Sequence, residues 1–146
     1  MKVPFNINLS GKTAIVTGGS GTLCSAMAYG LAVSGAKVAI IGRNIEKLAS
    51  VSEKLTKNAL DEYNKGVTIK GYSCNVINKD ELTAAYETIK NELGSCDILI
   101  NGAGGNQPGA ITSIEMLKKD KEDSDYSFWN LDEDRIRDVM DLNYMG

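Results

Sequence analysis

Short apolar runs alternate along the chain with longer stretches whose apolar residues recur every three or four positions. The runs are Thr13-Ala14-Ile15-Val16, Lys37 to Ile41, Val67 to Tyr72 and Ile98-Leu99-Ile100. Their length and β-branched content predict four strands. Between the first two, Leu23, Ala26, Met27, Gly30 and Leu31 fall on one face of a predicted helix. Gly35 closes it, where a left-handed residue is wanted. A second, more polar helix carries Ile45, Leu48, Ala49, Leu55 and Leu60 and ends at Gly66. Asn78 with Glu81 predicts a capping pair, and the helix behind it lines up Leu82, Ala85, Tyr86, Ile89 and Leu93. Asp132 predicts the cap of a last helix, with Leu131 and Ile136 spaced as a hydrophobic staple.

The order β-α-β-α-β-α-β-loop-α predicts an α/β fold, a Rossmann-like doubly wound parallel sheet of about four strands covered by helices. Residues 1–146 read as a single domain, with 107–130 as an insertion loop. Right-handed crossovers put the carboxyl ends of the strands, and any ligand, on one side of the sheet. Gly18-Gly19, Gly42-Arg43-Asn44 and Asn101-Gly102 are all strand ends of this kind. Their convergence says more than any one of them alone.

Composition narrows the chemistry. The formal charge of −3 leaves no basic stripe for a nucleic acid. No apolar run is long enough for a transmembrane helix, and the first residues lack a signal-peptide core. Cys24, Cys74 and Cys96 are odd in number and far apart, which fits neither a disulfide framework nor a zinc site; a reducing cytoplasm is the expected setting. Histidine is absent, which excludes a Ser-His-Asp triad and a His-activated cysteine within these residues.

Thr17-Gly18-Gly19-Ser20-Gly21-Thr22-Leu23-Cys24 leads from the first strand straight into a helix. Glycines let the backbone approach an anion, and the helix start offers unpaired N–H groups and positive dipole. In this context the turn predicts a dinucleotide cradle formed by Gly18, Ser20, Gly21, Thr22 and Leu23. At the end of the second strand, the place of an acid that would hold a ribose 2′-hydroxyl is Gly42, and Arg43 and Asn44 follow. An arginine without an acid can receive a 2′-phosphate, so NADP is favoured over NAD. The other reading of Arg43 is a solvated side chain at a helix start.

Thr17-Gly18 with its turn, Asn75-Val76, Asn101-Gly102-Ala103-Gly104 and Asp141-Leu142-Asn143 with Gly146 together resemble the short-chain dehydrogenase/reductase family, from about Leu9 to Gly146. The turn departs from that family's T-G-x-x-x-G-x-G: Thr22 and Cys24 stand at the second and third glycine positions, and Gly21 comes one place early. A similar turn, with a long insertion after N-G-A-G-G-N, resembles the family's sugar-acid reductases. The resemblance implies a hydride transfer between a nicotinamide and a carbonyl or alcohol carbon of a small substrate. It implies adenine contacts at Asn75 and Val76. It also implies that Asn101, Gly102, Ala103 and Gly104 line the ribose and nicotinamide side. Asn143 is expected on the apolar face of the last helix, either as a satisfied core amide or, by resemblance, as an organiser of the proton relay.

The family's catalytic Ser and its Tyr-x-x-x-Lys pair have no counterpart after Asn143 in these 146 residues. Tyr86 and Lys90 have the spacing but precede the fourth strand, and Tyr86 is assigned to core packing. The chain therefore reads as the N-terminal part of such an enzyme, inactive by itself, with a homo-oligomer expected for the longer form. A non-catalytic dinucleotide-binding or regulatory module is the alternative. A flavodoxin-like domain shares the alternation but leaves Asn101–Gly104 and Asp141–Asn143 unexplained. In the insertion, the charged residues Lys118 to Asp123 read as a solvated loop, and Tyr126 to Trp129 as packing or part of a lid.

Overall fold

A computed structural model describes residues 7–112 and 127–145. The charged run Lys118 to Asp123, Tyr126 and Gly146 lie outside these residues. The chain divides into two compact units, one ending at Ala103 and one starting at Gly104.

The first unit is a parallel sheet with the order β3-β2-β1-β4. Strand β1 is Thr13–Thr17, β2 is Lys37–Gly42, β3 is Thr68–Ser73 and β4 is Ile98–Ile100. Val16 sits opposite Ile40 on one side and Ile100 on the other. All five residues of β1 are buried, which explains why this strand reads as an unbroken apolar run rather than an alternation. Edge strand β3 buries only Ile69.

Helices α1 (Thr22–Val33) and α2 (Ile45–Tyr63) pack with Ala14, Val16, Val38 and Ile40 into one core. Alternation along the strands turns Ile15, Ala39 and Ile41 to the opposite face. Helix α3 (Lys79–Leu93) packs on β2 and β3 through a face that buries Ala85, Ile89 and Leu93.

Two predicted faces shift. The buried residues of α1 are Cys24, Ala28 and Ala32, whereas Leu23 and Met27 are exposed. Small side chains let a helix lie close on a sheet, so here size outranks hydrophobicity. On α3, Tyr86 is exposed and does not join the core. The end of α2 also moves: Asn64, with φ of 51°, is the left-handed cap in place of Gly66. Gly35 closes α1 as expected, with φ of 108°.

The second unit contains a short 3₁₀ turn (Phe128–Asn130), helix α4 (Glu133–Met140) and a π turn (Asp141–Met145). Asp132 caps α4, its carboxylate accepting the N–H groups of Asp134 and Arg135. The loop after Gly104 is tied to this helix: Asp132 N–H donates to Gly109 O at 3.0 Å, and Gln107 Nε2 donates to Arg135 O at 3.4 Å.

Candidate nucleotide-binding site

In a parallel sheet every strand delivers its carboxyl end to the same side, and the glycine turn between β1 and α1 forms there. Gly21 N–H donates to Gly18 O at 2.8 Å, closing the turn. Gly18 has φ of 65°, and a Cβ on it would lie 2.5 Å from Gly102 O. Conformation and close approach both demand glycine at this point. The loop leaving β4 is fixed in return by Thr17, whose Oγ1 accepts the N–H groups of Gly102 and Ala103, each at 3.0 Å.

The start of α1 differs from the other helix starts. Asn44, Asn78 and Asp132 each cap a helix with a side-chain oxygen, and each of those helices has a carboxylate in its first turn. Helix α1 begins at Gly21 with no side-chain cap and no acid in its first turn. Its first helical bond runs from Ser25 N–H to Gly21 O, so the amides of Thr22, Leu23 and Cys24 stand outside the helical ladder. These donors, with the dipole behind them, suit an anion such as a pyrophosphate.

The remaining strand ends supply the rim. A Cβ on Gly42 would meet only ordinary contacts, one of them Ser20 Oγ at 3.7 Å, so a larger residue would fit but none is present. Arg43 is exposed, and among the described residues no ion pair engages it. Asn44 Oδ1 accepts Lys47 N–H at 2.7 Å; this amide caps α2. After β3, Glu81 organises the loop: its carboxylate accepts Asn75 N–H at 2.8 Å and Asn78 Nδ2–H at 2.9 Å. Asn75 Oδ1 accepts Ile77 N–H at 3.4 Å, while Val76 is buried with 8% exposure and offers little free surface. Burial, then the charge of Glu81, pushes the Cys74 thiol up, which keeps it neutral.

In the second unit Asn143 is exposed, contrary to the buried position expected. The helix passes into the π turn at Asp141, so the heptad count from Ile136 does not carry through. Its amide holds the peptide of Gly105 instead: Gly105 N–H donates to Oδ1 at 2.9 Å, and Nδ2 donates to Gly105 O at 2.8 Å. Cys24 is the residue that motif reading overlooked, and its signal was the unusual thiol at a glycine position. Among the described residues, no group of three His, Cys, Asp or Glu could hold a metal ion, and no helix is long and apolar enough to cross a membrane.

A parallel sheet with a glycine turn leading into an uncapped helix start defines an α/β domain of the Rossmann class. The profile of the short chain dehydrogenase family matches residues 12–146, and the chain belongs to that family. It is 42% identical over 144 residues to UxuB, an uncharacterized oxidoreductase of Bacillus subtilis (strain 168), covering 99% of this chain and 49% of that protein. A crystal structure of a candidate D-mannonate oxidoreductase from Haemophilus influenzae with bound NAD is similar at a TM-score of 0.82 and 36% identity. That match covers 96% of this chain and 48% of the other. A metagenomic short-chain oxidoreductase in complex with NADP is similar at a TM-score of 0.61 and 28% identity, over 77% of this chain and 47% of that one. The chain thus spans about half the length of these proteins.

Proposed function

We propose that this chain is the nucleotide-binding part of an NAD(P)-dependent oxidoreductase acting on a CH–OH or carbonyl carbon of a small substrate, with sugar acids as the substrate class. The observation that carries the reading is the uncapped, acid-free start of α1 beside Gly18. The likeness to the candidate D-mannonate oxidoreductase supports the substrate class.

When bound, the cofactor supplies the hydride chemistry. Gly18, Ser20, Gly21, Thr22 and Leu23 would form the cradle of its pyrophosphate, with the backbone N–H groups of Thr22 and Leu23 as donors. Asn75 and Val76 would stand at the adenine, and Asn101, Gly102, Ala103 and Gly104 along the ribose and nicotinamide side. Arg43, with no carboxylate at Gly42, would receive a 2′-phosphate, which favours NADP. Asn143 would support the proton relay of the whole enzyme, in which a tyrosine and a lysine would serve as acid and base. The 146 residues alone are expected to show no turnover.

Calorimetric titration of the full chain with NADH and NADPH tests the reading. Saturable binding that is lost in Gly18→Val is expected. Unchanged affinity in a folded Gly18→Val variant, or no binding by the unsubstituted chain, would overturn it.

A further inference from the structure

We propose that Cys24 is a positioning residue of the nucleotide site: its thiol holds the Gly102 carbonyl and keeps the loop leaving β4 seated against the phosphate turn. This role rests on the dinucleotide reading above.

Gly102 is gripped on both sides. Its N–H donates to Thr17 Oγ1 at 3.0 Å, and its carbonyl accepts from Cys24 Sγ at 3.6 Å. Thr17 ends β1 and Cys24 lies in the first turn of α1, so the two partners bracket the whole glycine turn. The thiol is among the few buried groups on α1. The same residue fixes Gly18 from the opposite direction, because Gly102 O occupies the place where a Gly18 side chain would go. Three residues of the turn are therefore referred to one residue of the neighbouring loop.

The fit is also steric. A Cβ on Gly102 would run into Cys24 Sγ and would stand 3.0 Å from Thr17 O. A thiol at position 24 requires glycine at 102. Conversely, removing the thiol leaves a gap between α1 and the loop and deprives the Gly102 carbonyl of a donor. The two positions behave as one matched volume, and the N–H groups of Thr22 and Leu23 are aimed by how α1 sits on that contact.

The experiment measures NADH affinity by calorimetry and the melting temperature without nucleotide for four variants of the full chain. Cys24→Ala is expected to weaken binding about threefold to tenfold, the effect of one weak hydrogen bond and its packing. Cys24→Ser, which keeps a donor, should stay within about twofold of the unsubstituted chain. Gly102→Ala should weaken binding more than Cys24→Ala, and adding Cys24→Gly to Gly102→Ala should recover part of that loss. A merely structural thiol would lower the melting temperature of Cys24→Ala and Cys24→Ser alike and leave affinity unchanged below that temperature. Binding by the unsubstituted chain with flat affinities across Cys24→Ala, or a double variant no better than Gly102→Ala, overturns the role of Cys24 alone. Absence of binding by the unsubstituted chain overturns the dinucleotide reading itself, and this role with it.

Discussion

The side-chain amide of Asn143 pairs with the peptide of Gly105 through two hydrogen bonds, one in each direction. An amide can do this because it carries a donor and an acceptor side by side. Aspartate keeps the acceptor and sets a negative charge against the Gly105 carbonyl. Asn143→Asp is therefore expected to loosen residues 104–108 by about 1–2 kcal/mol. Faster amide exchange at Gly105 in the variant checks this; unchanged exchange would contradict the clamp.

Arg43 offers a free guanidinium beside a strand end that lacks a carboxylate. Arg43→Ala is expected to weaken NADPH by about 1.5–3 kcal/mol, roughly tenfold to a hundredfold, and to leave NADH nearly unchanged. Since a related structure holds NAD, both nucleotides must be titrated in parallel. Equal losses for the two would assign Arg43 to the start of α2 and remove the preference for NADP.

At the amino ends of the strands, Lys12 Nζ lies 2.8 Å from Asp97, which also accepts Thr13 N–H at 2.9 Å. The ammonium first, and the backbone donor second, hold the Asp97 carboxyl below its ordinary 3.8. A depressed pKa means that the unfolded chain takes up the proton first as the pH falls. The stabilisation is thus complete above the ordinary value and lost as the pH drops through it towards the folded value. Denaturant melts of the chain and of Asp97→Asn should differ most near about pH 6, and the difference should shrink as the pH falls below the ordinary carboxylate range. A constant difference across that range would show that Asp97 contributes no titrating interaction.

Tyr86 and Lys90 match the spacing of a catalytic pair, but Tyr86 is 38% exposed and Lys90 pairs with Glu87 on the outside of α3. Tyr86→Phe should change stability by less than about 0.5 kcal/mol and leave nucleotide affinity unchanged. A large loss of affinity would give this tyrosine a part in the site that the geometry denies it.

The strands were legible because each is a short, β-branched run bounded by turn residues. The caps Asn78 and Asp132 were legible in position, and Asn78 with Glu81 in detail, whereas Asn44 was read as a strand end and not as a cap. The inward face of α1 was not. Apolar periodicity weighs Leu23 and Met27 above Cys24 and Ala28, whereas close helix–sheet packing selects for small size. The environment of Asn143 was hidden for another reason: a π turn moves the residues after Asp141 off the face that helical spacing assigns. The glycine turn was legible as an anion cradle, but the matching of Cys24 to Gly102 depends on a contact across 78 residues of sequence.

The central claim is that the amides at the start of α1 receive a dinucleotide. Hydrogen–deuterium exchange of the full chain, with and without saturating NADH or NADPH, tests it directly. The account predicts slowed exchange in peptides spanning residues 18–24 and 101–103, with α3 unaffected. Saturable binding that leaves residues 18–24 exchanging at their free rate would contradict it.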